Sequence, residues 1–328
     1  MKRAIIDLGT NSVLLLIGQS LTPGAIEILQ QQYLVSRLGE RVFEAGELRM
    51  EAMERTLAVL HRYAREIKSY QVQEIHLLGT AALRRAGNVE QFRNLIRSQL
   101  GWELQVISAE QEARFSFMGA QQTFNGRDKI PVVMDVGGGS TEIISGRQLN
   151  RLEFVSLPLG AVGLAEQFQL KSQLDELEQQ EVRKVIHDQL EKVPWLKKIN
   201  QGTWLKKFKS QQVLIGVGGT ISTLVAFKEQ MTAYDPEQID GYVLPNEVLT
   251  EIFQSLNRLT SAQRLEQVEI IRGREDIILY GILIYLEMMD YTGFKTIVAS
   301  DRGLRFGYFL YLEGTQEQGD KGTKALRH

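Results

Sequence analysis

The amino-acid sequence predicts an α/β protein built from two related domains. Three observations carry that expectation. The chain has 328 residues, 43% of them hydrophobic, which is long for a single core. Strand and helix patterns alternate along it. A strand–glycine-turn–strand motif occurs in both halves, as a duplicated unit would leave it.

The N-terminal half opens with "RAIIDLG", "SVLLLIGQS" and "GAIEILQQQYL", three strands of an antiparallel meander. After a turn at Gly46, apolar residues at helical spacing predict a helix from Met50 to Ile67. There follow "EIHLLGTAAL", a strand running into a loop, "VEQFRNLIRSQL", a helix, "ELQVIS", a strand, and "EQEARFSFMGAQQTF", a helix. Beyond the polar turn "NGRDK" the pattern restarts with three strands, long helices, and a strand and helix joined by glycines in "QVLIGVGGTISTLVAF". The run "IILYGILIYL" falls short of the roughly 20 residues of a membrane span and reads as a buried helix. The closing "EGTQEQGDKGTKALRH" is polar and expected to be disordered.

Aligning "AIIDLGTNSVLLLI" with "VVMDVGGGSTEIIS" places Asp7 on Asp135, Gly9 on Gly137, Asn11 on Gly139 and Ser12 on Ser140. In each copy a strand delivers a carboxylate, and a turn of small residues then presents backbone N–H groups to one point. Such an array binds anions. The loop "GVGGT", with Gly218, Gly219 and Thr220, repeats the turn and opens a helix, whose first N–H groups also favour negative charge. One such loop is as readily a tight hairpin; three together point to phosphate, with a cation held by strand-end carboxylates.

Composition narrows the chemistry. The net charge of −2 gives no drive toward nucleic acid or an anionic membrane, so neither partner is expected. With no cysteine in the chain, thiolate chemistry and disulfides are excluded, and a cytoplasmic location is expected. The His187-Asp188 dipeptide reads as an ordinary helix surface, since only four histidines are present. The segment from Val182 to Lys209 interleaves lysines with Trp195, Trp204 and Phe208, and reads as a solvated face with buried aromatics rather than a polyanion rail.

Eight ordered stretches, "IDLGTNSVLLLI", "RLGERVFEAGEL", "GTAALRRAGN", "ISAEQEARFSFMGA", "DVGGGSTEI", "SLPLGAVGL", "GVGGTISTL" and "ASDRGLRFG", make the chain resemble the exopolyphosphatase and guanosine pentaphosphate phosphatase family of the actin, Hsp70 and sugar kinase superfamily. The resemblance spans residue 4 to about 310. It implies two ribonuclease-H-like (actin-like ATPase) domains, each a mixed five-stranded sheet with flanking helices, around an interdomain cleft. Boundaries are expected at 1–125 and 126–302, with the segment from about 303 to 328 a candidate to pack back on the first domain. Longer members add a helical HD-like domain, for which this chain stops too soon.

The resemblance also assigns roles. It implies that Glu112 is the general base and that Glu142 is a second carboxylate positioning water or metal, with Asp7 and Asp135 as the metal-side pair. Arg84 would grip phosphate, with Arg85 the weaker candidate, and Asn11, Ser12, Gly137, Gly138, Gly139, Ser140, Gly218, Gly219 and Thr220 would line the same site. An all-oxygen ligand set favours Mg²⁺, with Mn²⁺ as the alternative. The implied reaction is processive release of terminal phosphate from polyphosphate. Hydrolysis of guanosine pentaphosphate and a weakly catalytic sensor stand as alternatives, and a homodimer is expected on family grounds. Three departures from the family pattern stand out. Gln111 occupies an acidic position, Val13 and Leu14 follow "NS" where polar or basic residues are usual, and Phe306 replaces a glutamate.

Overall fold

The computed structural model describes residues 1–22, 25–124, 129–146, 149, 151–201, 212–267 and 272–324. Two compact units are present: residues 1–119 with the segment from Gly303 onward, and Ala120–Arg302. In chain order the first unit contributes β1 (Lys2–Leu8), β2 (Ser12–Thr22), β3 (Ala25–Val35), α1 (Val42–Ala45), α2 (Met50–Ser69), β4 (Glu74–Gly79), α3 (Ala81–Arg85), α4 (Val89–Leu100), β5 (Leu104–Val106) and most of α5 (Ala109–Thr123). The second holds β6 (Ile130–Val136), β7 (Thr141–Ser145), β8 (Glu153–Leu157), α6 (Ala161–Gln167), α7 (Glu176–Leu190), α8 (Pro194–Gln201), β9 (Gln212–Val217) and α9 (Gly219–Lys228). It continues through α10 (Pro236–Ile239), β10 (Val243–Pro245), α11 (Asn246–Asn257), α12 (Ser261–Gln267), α13 (Ile278–Thr292) and β11 (Thr296–Ser300), and α14 (Leu304–Lys324) returns to the first unit.

The first sheet has the order β3-β2-β1-β4-β5, with β1 antiparallel to β2 and parallel to β4. Alternation along its central strands explains why they read as continuous apolar runs. Ala4, Ile6 and Leu8 of β1 join Val13, Leu15 and Ile17 of β2 in a core that includes Met53, Leu57 and Leu60 of α2. Ile5 and Leu16 belong to a second cluster with Phe115 of α5 and Leu304, Phe306, Tyr308 and Phe309 of α14. Phe306, the departure from glutamate, is therefore a core residue. Val13 is likewise buried in the core.

The second sheet runs β10-β11-β9-β6-β7-β8, with β6 antiparallel to β7 and parallel to β9. It has six strands where five were expected. The extra strand, β10, pairs antiparallel with β11 through Val243 to Pro245. It sits at the edge, where a proline's missing N–H costs no ladder bond. The "IILYGILIYL" run lies in α13, which is buried on all sides from Ile278 to Leu286. Among the described residues no helix is long and apolar enough to cross a membrane.

Three further expectations are corrected or placed. The stretch after β4 is the short helix α3 rather than a loop, begun by the Arg84 amide donating to the Thr80 carbonyl at 3.0 Å. The polar C-terminal stretch continues α14 to Lys324 instead of ending it near Glu313. Of the lysine-rich segment, Trp195 packs against the core of the second unit, while Trp204 and Phe208 lie outside the described residues.

Candidate active site

The duplicated motif folds the same way twice. In the first unit the Gly9 amide donates to the Ser12 carbonyl at 2.9 Å; in the second, the Gly137 amide donates to the Ser140 carbonyl at 3.0 Å. Both turns are tied from behind by the segment that follows the third strand. The Thr10 carbonyl accepts from the Gly39 amide at 2.8 Å, and the Asn11 carbonyl from the Ser36 and Arg37 amides at 3.1 and 2.9 Å. In the second unit the acceptors lie one residue earlier in the alignment: the Gly137 carbonyl accepts from the Ala161 amide at 3.0 Å, and the Gly138 carbonyl from the Val162 and Gly163 amides at 2.8 and 3.1 Å. In a trans peptide the C=O and the next N–H point in opposite directions. Carbonyls held by the following segment thus turn the next amides, those of Gly138 and Gly139 in the second unit, to the opposite side of the turn, an arrangement suited to an anion.

Asp7 and Asp135 occupy matching places, each one residue before the end of its strand. Register then separates the copies. Asp7 pairs across β1 and β2 with Leu14, whereas Asp135 pairs across β6 and β7 with Glu142. Directly opposed residues lie on one face of a sheet about 5 Å apart at Cβ, so the second unit carries two carboxylates where the first carries one. Glu142 is 1% exposed, and one of its oxygens accepts from the Ser156 hydroxyl on β8 at 2.7 Å.

Gly218 has φ +89°, and a Cβ there would stand 2.8 Å from Asp135 Oδ1. Glycine is required on both counts. Tyr285 of α13 donates to the Val217 carbonyl at 3.0 Å. Burial, and then the Asp135 carboxylate, hold its hydroxyl well above the ordinary phenol range, so it remains a neutral donor. Thr220 and Ser140 are buried, at 6% and 8% exposure.

In the first unit the proposed base and the proposed phosphate grip are partners. Nη1 of Arg84 donates to Glu112 Oε2 at 2.5 Å and to the Ile107 carbonyl at 3.1 Å. The topology brings them together. The Thr80 amide donates to the Leu8 carbonyl at 3.3 Å and the Ile107 amide to the Gly79 carbonyl at 3.0 Å. Asp7, Arg84 and Glu112 thus sit just beyond or at the carboxyl ends of the parallel strands β1, β4 and β5, the edge at which open α/β sheets bind ligands. Asp135 on β6 and Gly218 after β9 occupy the same edge of the second sheet. Arg85 is exposed, and Asn11 Nδ2 donates to Ser12 Oγ at 3.4 Å.

Gln111 has a structural role that the motif comparison obscures. Its amide donates to Ser108 Oγ at 3.1 Å, and its side-chain Oε1 accepts from the Ser108 amide at 2.9 Å. This reciprocal capping box starts α5 and so fixes Glu112, and glutamine serves it as well as glutamate. The "S-A-E-Q" spacing was a visible signal for it. Arg274 is a residue that motif reading missed. Its guanidinium occupies the space a side chain at Gly219 would fill, and its Nη1 donates to Thr223 Oγ1 at 3.4 Å. Nothing in the polar run "RGRED" marks that placement.

His187 of the HD dipeptide pairs with Glu287 at 3.0 Å and meets the Tyr291 ring edge-on. Among the described residues no three His, Cys, Asp or Glu side chains form a ready-made metal cage. Mg²⁺ does not ask for one: it keeps several waters and binds through one or two carboxylates. Asp135 opposite Glu142 fits that need.

Two mixed sheets, each with a glycine turn and a strand-end carboxylate at the carboxyl edge, make this an actin-like fold. The chain belongs to the Ppx/GppA phosphatase family, whose model matches residues 19–316. It is 29% identical to exopolyphosphatase 2 of Mycobacterium tuberculosis, over 95% of this chain and 98% of that one. It is 30% identical to a bifunctional 3-dehydroquinate synthase/phosphatase of Fusobacterium nucleatum, over 96% of this chain and 47% of that protein. Among solved structures, an exopolyphosphatase from Cytophaga hutchinsonii matches with TM-score 0.83 at 25% identity, covering 96% of this chain and 98% of that one. The Aquifex aeolicus member of the family matches with TM-score 0.75 at 29% identity, with the same coverage.

Proposed function

We propose that this chain is a Mg²⁺-dependent exopolyphosphatase that removes terminal orthophosphate processively from inorganic polyphosphate. The observation that carries the reading is the Arg84–Glu112 pair at the carboxyl ends of β4 and β5, a carboxylate and a guanidinium fixed side by side. Water attacks the terminal phosphorus and gives its proton to Glu112, whose contribution is mainly orientation because a carboxylate is a weak base. The bond from that phosphorus to the bridging oxygen breaks, its electron pair stays on the shortened chain, and orthophosphate leaves. Arg84 offsets the charge that gathers on the phosphoryl oxygens, while Arg274 and the amides of the glycine turns bind phosphate equally before and during the reaction. Asn11, Ser12, Ser140 and Thr220 add polar contacts to the chain being cut.

Asp135 and Glu142 would hold the cation, which supplies charge neutralisation to the phosphate oxygens when bound. Asp7, at the matching place in the first unit, is the further carboxylate that the family resemblance assigns to metal. The names of the Mycobacterium tuberculosis and Cytophaga hutchinsonii relatives support polyphosphate as substrate. A weakly catalytic sensor loses its motive, since Gln111 caps a helix and Phe306 packs in a core. The test compares phosphate release by the pure chain, with Mg²⁺, from long polyphosphate and from guanosine pentaphosphate. A higher kcat/KM for polyphosphate is expected; preference for the pentaphosphate would reassign the substrate, and no release from either would refute the reading.

A further inference from the structure

Among the described residues of the second unit, Arg264 of α12 is the most deeply buried cation, with 0% exposure. Its guanidinium spends its donors on backbone carbonyls from three separate segments. Nε donates to Leu256 in the last turn of α11 at 2.8 Å, Nη1 to Glu275 at 2.6 Å, and Nη2 to Ser172 ahead of α7. Burial pushes the group down to about 10, with Asp276 and then Tyr280 acting the other way, so it remains charged at neutral pH. Burying a guanidinium is costly, and apolar replacement of buried charge is often neutral or stabilising. What an apolar side chain cannot do is hold three backbone carbonyls in one plane, as a rigid fork of donors does.

One of those carbonyls belongs to the residue after Arg274. The turn that Arg264 grips at Glu275 leads directly into α13, where the Ile277 and Ile278 amides donate to the Arg274 carbonyl at 3.0 and 2.9 Å. Arg274 projects from this turn onto Gly219, the first residue of α9. A guanidinium beside the first free amides of a helix adds its fork of donors to theirs, a combination suited to a phosphate.

We propose that Arg264 is a positioning residue: it fixes the 272–276 turn so that Arg274 stands over Gly219 and receives a substrate phosphate. This rests on the phosphohydrolase reading above. A lysine at 264 keeps the charge but offers a point donor that cannot span the three carbonyls. Arg264→Lys is expected to raise KM for polyphosphate about tenfold while kcat stays within about twofold, because the loss is one of placement. Arg264→Met, which removes the buried charge, is assayed in parallel so that the test does not hang on one variant folding. Arg274→Met should raise KM at least as much, and adding Arg264→Lys to it should change nothing further, since the two act through one contact. Hydrogen exchange gives an independent reading: the Ile277 and Ile278 amides should exchange faster in Arg264→Lys, with the β9 amides unchanged.

Variants whose KM stays at the wild-type value while the melting temperature falls would reduce Arg264 to a stability role and overturn the proposal. KM effects that add to those of Arg274→Met would overturn it as well. A wild-type chain that releases no phosphate from polyphosphate would instead remove the phosphohydrolase reading, and this inference with it.

Discussion

At the residue scale, the chemistry depends on how closely backbone and carboxylate approach. Gly218 combines a left-handed φ of +89° with Asp135 Oδ1 2.8 Å from where a Cβ would stand. With ψ 179° the residue lies in a region essentially open only to glycine, so Gly218→Ala must bear backbone strain of about 1–3 kcal/mol and also push the carboxylate aside. We expect a drop in unfolding free energy of at least that size, measured by denaturant titration, together with a higher Mg²⁺ concentration for half-maximal phosphate release. Much of this was legible in sequence. Asp7 and Asp135 declared themselves because both follow apolar runs and precede small-residue turns. The contrast between Leu14 and Glu142 was not, because it depends on strand register. Arg264 and Arg274 were hidden for another reason: a buried arginine looks in sequence like the exposed one that base rates favour.

Among the elements, α5 shows how a departure in a motif is explained by local structure. Ser108 and Gln111 cap its first turn reciprocally, and Glu112 is the next residue along. Gln111→Glu preserves the capping box and should leave turnover within about twofold of wild type. Gln111→Ala removes one arm of the cap and should cost about 1 kcal/mol of stability, with a lower kcat if the first turn frays around Glu112. Steady-state kinetics alongside thermal unfolding would distinguish these outcomes. Long elements were readable in advance: α2 by its helical period, and the central strands and α13 as apolar runs of different length. The failures were short or terminal. α3 spans five residues and β10 three, too few to show a period, and β10 ends in a proline that argues against a strand. The polar composition that suggested disorder after Glu313 does not prevent α14 from continuing to Lys324.

For the whole molecule, two copies of one scaffold carry different side chains at their carboxyl edges. Both fold a glycine turn against the segment after their third strand, and both place an aspartate at the carboxyl edge of a mixed sheet. The first copy adds the Glu112–Arg84 pair; the second adds Glu142 opposite its aspartate and the Gly218–Thr220 loop with Arg274. In the proposed function, proton transfer belongs to Glu112 of the first unit. Loss of the base should therefore abolish turnover without abolishing binding. The most direct measurement is phosphate release from long polyphosphate, with Mg²⁺, by wild type and Glu112→Gln, paired with the polyphosphate Kd of each. The account predicts steady release by wild type, a fall in kcat of roughly a hundredfold or more in the variant, and Kd values within a few-fold of each other. A variant that turns over polyphosphate as fast as wild type would contradict it.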